Sequence, residues 1–429
     1  MSNTIELRAA AGAGLTRDQI GQVVDAACEP ARYRGKRVLA IVPDGTRTAP
    51  VGSLFRALHD RIAGETKSLD VLIALGTHQP MSEAAILERL ETTPSERASR
   101  YGRVRFFNHE WDNPAALRQV GVLEPRDVED LTGGKFSLRV PVEINARLFD
   151  YDQIIIIGPV FPHEVVGFSG GNKYLFPGVG GPEILNFFHW LGAVVTNPMI
   201  IGNKWTPVRR VVDRVAAMVP LDKLCFAMVV DPDKHLAGLF AGPPEAAWDR
   251  ASDLSRERHI VLKDHPFHTI LSCAPPMYDE LWTAGKCMYK LEPVLADGGE
   301  LIIYAPHLEE VCVTHGEHIQ AIGYHCRDYF LGQWEKFKAI PWGVLAHSSH
   351  VRGIGKYEGG VETCRARVTL ASRISEERCR KLNLGYRDPA TIRPQDFANR
   401  EDEGVLLVPK AGEMLYQLRN PPAWAGGVA

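Results

Sequence analysis

The sequence predicts two α/β domains with mainly parallel sheets and an active-site cleft between them. Three observations carry this. Short apolar runs rich in Val and Ile alternate with segments of helical periodicity, as in β-α-β units. Polar residues recur at the carboxyl end of one run after another. Four consecutive isoleucines, 154–157, read as a parallel strand buried on both faces.

Taken in order, Thr16 opens the first clear helix, with Gln19 at the capping-box position and Ile20, Val23, Val24 and Ala27 on one face. The strand VLAIVP, 38–43, delivers Asp44, Gly45, Thr46 and Arg47, and a helix follows over about 51–62. VLIAL, 71–75, delivers Gly76, Thr77 and His78; Ser82 caps the next helix. VRFFN, 104–108, ends at His109. After the isoleucine strand come a helix, the strand LCFAMVV at 224–230, and a helix over 244–258. A second α/β series starts at His259 with HIVLKD, HTILSC and LIIYAP, and Gly298 and Gly299 read as the end of the helix between the last two. The expected division is 1–258, 259–400 and a C-terminal segment 401–429 whose end, in PPAWAGGVA, reads as unstructured. In an open parallel sheet the strand ends converge on one crevice, so Asp44, Arg47, His78 and His163 are expected to share a site.

The stretch 154–189, IIIIGPVFPHEVVGFSGGNKYLFPGVGGPEILNFFH, concentrates the chemistry. Gly167, Gly170 and Gly171 permit a sharp turn whose amides can cradle an anion. Lys173 follows as a cation or nucleophile. The spacing of Gly167 and Lys173 fits a P-loop, yet Asn172 replaces its second glycine and Tyr174 the Ser/Thr that would hold magnesium. Pro177 and Gly178 then block the helix a P-loop requires. A nucleoside-triphosphatase is excluded on these grounds, while phosphate binding is not.

Composition narrows the class further. A hydrophobic share of 45% and a charged share of 24% describe an ordinary globular core, and a net charge of -3 without basic runs speaks against nucleic-acid binding. The N-terminus carries no secretory pattern and no run is long enough to span a membrane, so a cytoplasmic protein is expected. The eight cysteines (28, 225, 273, 287, 312, 326, 364 and 379) form no CxxC pair and read as reduced thiols. Cys312, His315 and His318 tempt a metal reading, but EEVCVTHGEHI looks like a solvated helix with no fourth ligand.

With these residues in view, the chain resembles the lactate racemase family, whose members use a nickel-pincer nucleotide. PDGTR at 43–47, GTH at 76–78, PHEVVGFSGGNK at 162–173 and the helix reaching His189 carry the resemblance, with WTAGK at 282–286 as a weaker match. The resemblance implies that Lys173 holds the cofactor covalently through a thioamide and that His189 ligates nickel. It implies His78 and His163 as the two acid/base groups, Asp44, Gly45, Thr46 and Arg47 as contacts to the cofactor, and Arg47 also to substrate. Lys286 would hold the substrate carboxylate. The implied reaction is racemisation or epimerisation of a 2-hydroxy acid by reversible hydride transfer, and maturation proteins would supply the cofactor.

The match departs from the family at Trp282 and Thr283, where Tyr-Gln is common. With the segment AHSSHVRG, 346–353, this points to a substrate larger or more polar than lactate, with Thr283 in its pocket. His109, His347 and His350 read as structural or supporting. A carrier or regulatory module that binds a nucleotide or anion without hydride chemistry is the competing reading; a hydrolase or phosphotransferase would need a magnesium-holding group that the turn lacks.

Overall fold

The computed structural model describes residues 4–10, 12–46 and 48–425. The chain changes compact unit after Phe161, Gly167, Leu185, Val208 and Arg258, so that 162–167, 186–208 and the chain from His259 onward form the second unit. The linear reading placed 162–167 and 186–208 with the first.

The first unit is built on a seven-stranded sheet: β1 (Ile5–Arg8), β2 (Arg37–Pro43), β3 (Ser68–Ala74), β4 (Phe106–Asn108), β5 (Gln153–Pro159), β6 (Asp222–Val230) and β7 (Leu236–Gly242), in the spatial order β1-β7-β6-β5-β2-β3-β4. From β6 through β4 every pairing is parallel; β7 and β1 close one edge antiparallel. The isoleucine strand β5 lies at the centre, with Ile154–Ile157 fully buried. Its neighbours are β2 and β6, which explains an apolar run without alternation. The helix α1 (Arg17–Ala27) begins with the expected capping box, Gln19 N on Thr16 Oγ1 at 3.3 Å and Thr16 N on Gln19 Oε1 at 2.9 Å. Such a cap contributes about 1 kcal/mol. The helix α2 (Val51–Ile62) buries Leu54, Phe55, Leu58 and Ile62 in the same core.

The order of the strands places a topological switch between β2 and β5. The chain leaves β2 toward β3 and β4, then returns to β5 on the other side. The crevice outside the carboxyl ends of two such strands is where α/β sheets bind ligands.

The second unit holds a five-stranded parallel sheet of β8 (Phe267–Cys273), β9 (Leu295–Ala305), β10 (Arg367–Ser372), β11 (Gly385–Tyr386) and β12 (Val405–Val408), ordered β11-β10-β9-β8-β12. Three readings need correction here. The segment 401–429 is not separate in its described part: β12 completes the sheet, and Leu415–Leu418 pairs with Ile260–Lys263. Gly298 and Gly299 lie inside β9 rather than ending a helix. The stretch around Cys312 is not a solvated helix, because Cys312 is buried and the helix starts only at Gly316. The unstructured end expected for PPAWAGGVA falls on 426–429, outside the described residues. Among the described residues no helix is long and apolar enough to cross a membrane.

Candidate active site

In the first unit, Asp44 follows β2 and His78 follows β3. Their side chains meet, His78 Nδ1 to Asp44 Oδ2 at 2.6 Å. Thr46 donates to Asp44 Oδ1 through its hydroxyl at 2.6 Å and its amide at 3.1 Å. Burial opposes the charge on Asp44, but the hydrogen bond and charge of His78 and the Thr46 bonds outweigh it and hold the carboxyl well below the usual range. A carboxylate can only accept, so Nδ1 of His78 carries hydrogen and the neutral ring keeps its lone pair on Nε2.

Lys173 sits in a short 3-10 turn, Gly171–Tyr174, tied to the same strand ends. Gly178 N donates to Lys173 O, Gly76 N donates to Gly178 O, both at 3.0 Å, and Tyr174 Oη donates to Pro159 O at 3.3 Å. Gly158 at the end of β5 makes room for the Tyr174 ring: a Cβ there would lie 2.3 Å from it. From beneath, buried Arg209 donates to Gly170 O and stacks on Trp248, whose Nε1 donates to Ser169 O. Asn172 Nδ2 reaches Asp213 and Glu245. The residue that breaks the P-loop pattern is therefore an anchor of the turn. Two of the turn's amides are engaged within the fold, Ser169 N donating to Phe161 O and Lys173 N to Gly170 O.

In the second unit, His163 is buried and Val165 N donates to its Nδ1 at 3.1 Å. Glu164 Oε2 also lies 3.3 Å from Nδ1, a contact that is ionic only when the ring is protonated. The amide can only donate, so in the neutral ring Nδ1 accepts and the proton sits on Nε2. The neighbouring backbone is pinned by Lys290, which sequence reasoning passed over: buried, it donates to Pro162 O at 2.6 Å and Glu413 O at 3.2 Å. Gly167 closes the loop with φ +82°, where a Cβ would fall 1.8 Å from Asn203 O.

His189 lies on the helix α3 (Pro182–Val195), half-buried. Around it gather imidazoles that the sequence did not connect to it. His315, His347 and His350 all feel the charge of His189, and burial is the main force lowering each: His315 and His350 to about 4, His347 well below its ordinary value. Trp282 stacks on His347 with centroids 3.9 Å apart and meets His315 at 5.0 Å. His347 and His350 come from the helix α4 (Trp342–Arg352), one turn apart. Lys286 is buried, its Nζ 4.8 Å from the centroid of the Tyr278 ring, and Thr283 Oγ1 donates to Glu280 O.

The predicted residues thus fall into two groups. Asp44, Gly45, Thr46, His78 and Lys173 belong to the first unit; His163, His189, Thr283 and Lys286 belong to the second. Arg47 lies outside the described residues. His109 is buried in the first unit between Gly180 O and Asn145 Nδ2, each 3.0 Å from a ring nitrogen, and braces the loop beyond Lys173.

Known proteins resemble this chain. Residues 24–199 match the family model of the lactate racemase N-terminal domain. A crystal structure of a Thermotoga maritima protein is 32% identical, covers 96% of this chain and 100% of its own, and superposes with a TM-score of 0.86. The lactate racemase of Thermoanaerobacterium thermosaccharolyticum is 26% identical over 282 residues, 63% of this chain and 60% of the relative. The chain belongs to the lactate racemase family. The family's enzyme from Lactiplantibacillus plantarum aligns at 25% identity over 63% of this chain and 61% of its own length. The chain thus spans about three fifths of the length of the curated family relatives it matches. The family fold extends further, since the lactate racemase apoprotein structure from T. thermosaccharolyticum covers 94% of this chain and 92% of its own at a TM-score of 0.69 and 18% identity.

Proposed function

We propose that this chain is a racemase or epimerase of a 2-hydroxy acid, with His78 and His163 as its acid/base groups. The observation that carries the proposal is the Asp44–His78 pair outside the carboxyl end of the sheet. A histidine oriented by a buried carboxylate is poised to take a proton at Nε2. His163 is the complementary donor in its protonated form, with Nδ1–H facing Glu164 Oε2, and giving up the Nε2 proton returns it to the neutral ring. Reversing the reaction exchanges the two roles. A carrier of nucleotides or anions has no use for such a pair.

The donor chemistry present suits the nickel-pincer nucleotide that the resemblance implies. Lys173 offers an amine for the thioamide and His189 an imidazole for the metal. When bound, that group supplies a hydride acceptor for a carbon whose proton is too weakly acidic for a side chain to remove. Gly45, Thr46 and Arg47 would hold the cofactor, and Arg47, Thr283 and Lys286 the substrate. Lys286 adds a positive charge suited to a carboxylate. Trp282, stacked on His347, presents an aromatic and imidazole wall in place of Tyr-Gln. This supports a substrate larger or more polar than lactate.

The test is an intact-mass spectrum and a nickel assay on protein from a host that makes the cofactor, followed by a panel of 2-hydroxy acids. An adduct lost in Lys173→Ala, nickel lowered in His189→Ala, and enantiomer interconversion are expected. A bound nucleotide without nickel would favour the carrier. Lactate turned over fastest would refute the larger substrate.

A further inference from the structure

We propose that Cys326, Glu362 and Cys364 form a zinc site in the second unit, separate from the residues assigned to catalysis. One sulfur from each cysteine and a carboxylate oxygen of Glu362 all lie within 4.8 Å of one another. Two thiolates on a tetrahedral zinc stand about 3.8 Å apart, from Zn–S distances of about 2.3 Å, so the cluster needs only small side-chain rotation to close on an ion.

The carboxylate is what distinguishes this cluster from a mere pair of thiols. Glu362 Oε1 accepts from the Cys326 amide at 2.7 Å and lies 3.6 Å from Cys364 Sγ. Its other oxygen is bonded by His325 Nδ1 at 2.7 Å and Asn383 Nδ2 at 3.1 Å. His325 is itself fixed by stacking on Tyr329, ring centroids 3.7 Å apart. A ligating carboxylate held by outer hydrogen bonds is the usual support of a metal site. A disulfide between the two cysteines would gain nothing from a largely buried carboxylate aimed at its sulfurs. Two thiolates and one carboxylate select a borderline-soft divalent ion, and a fourth position is left for water.

The place in the fold gives the site a task. Cys326 immediately precedes the short helix Arg327–Leu331, while Glu362 and Cys364 lie on the second strand of the hairpin Gly355–Glu358/Val361–Cys364. Binding would fasten together points 36 residues apart, and the loop so closed contains α4 with His347 and His350. Zinc enters as the aqueous ion, and the thiol protons leave to solvent without any redox step.

The inference does not depend on the activity proposed above. Full-length protein, reduced and stripped with a chelator, is titrated with zinc ion alone and scored by metal content and thermal unfolding. One zinc per chain and a raised Tm are expected. Both are lost in Cys326→Ser and in Cys364→Ser, whose circular dichroism without metal stays that of the parent, and retained in His189→Ala. His325→Gln, which removes only an outer support, weakens binding roughly 10–100-fold. Retention of the zinc by a Cys326→Ser/Cys364→Ser double variant, or its loss in His189→Ala, overturns the proposal. So does a Cys326–Cys364 disulfide whose reduced form binds no zinc.

Discussion

Replacing Asp44 with Asn changes one heavy atom of the carboxylate that orients the proposed base, His78, and little of its shape. Thr46 can still donate to the remaining carbonyl oxygen. At the position facing His78, however, an amide NH2 now stands where a carboxylate oxygen accepted at 2.6 Å. Two donors cannot share that contact, so the ring moves its proton to Nε2 and loses the lone pair that takes the substrate proton. Where an Asp–His pair is completed by a nucleophilic serine, the wrong tautomer costs about 10⁴-fold. His78 is less sequestered: its side chain is 44% exposed against 10% for Asp44. Water can partly restore the original tautomer, and the loss should approach that of one hydrogen bond to a charged group, about 1.5–3 kcal/mol, or roughly 10–150-fold. The assay is interconversion of enantiomers by chiral chromatography, with adduct mass and nickel content checked in each sample. Full occupancy with a rate within twofold of the parent would refute the orienting role of Asp44. The acid limb supplies a second reading. The folded Asp44 carboxyl is depressed, so its contribution to stability is present above the unfolded value of about 3.9 and fades as pH falls. Asp44→Asn removes that dependence.

Three further outcomes are expected. His163→Ala should lower interconversion by ~10²–10⁴-fold while the Lys173 adduct and nickel remain, measured by the same assay and mass spectrum; a parental rate would remove His163 from the mechanism. Gly158→Ala sets a methyl against the Tyr174 ring and should cost about 1–3 kcal/mol of stability by denaturant titration, with reduced adduct formation at Lys173 if the turn shifts. His109, buried and lowered to about 4 chiefly by desolvation, binds its proton in the unfolded chain first. Stability should therefore be full above about pH 6.5 and fall toward pH 4, by up to about 3 kcal/mol for this group. His315 and His350 push the same way. His109→Gln should reduce the slope of unfolding midpoint against pH; an unchanged slope would assign the acid sensitivity elsewhere.

Much of the first sheet was readable because parallel strands buried on both faces leave an unmistakable apolar run, and the polar residues after β2 and β3 mark the strand ends directly. That Asp44 and His78 share a site follows from the same strand ends; their direct contact does not. Each residue alone fits a helix cap or a loop, and only the side-by-side pairing of β2 and β3 brings them together. His347 and His350 read as structural or supporting and His315 as part of a solvated helix; what relates them to His189 is tertiary convergence, which local pattern does not show. The fate of the turn amides was hidden for another reason. Glycine spacing reports that a backbone can bend, not which carbonyls its N–H groups will find. The assignment of 162–167 and 186–208 failed similarly, because apolar periodicity shows that a segment is buried but not in which core.

That interleaving has a practical consequence for anyone dissecting the protein. Asn197 is buried against Tyr289 O and Glu292, and Gln417 donates to Ile201 O. A fragment ending at residue 258 would keep Asn197 and Ile201 yet discard everything they lean on, exposing their apolar neighbours to water. Such a truncation should aggregate rather than behave as a free-standing module. Shuffling pieces between homologues would succeed only with cuts at all five crossings, which binds both cores to a common inheritance.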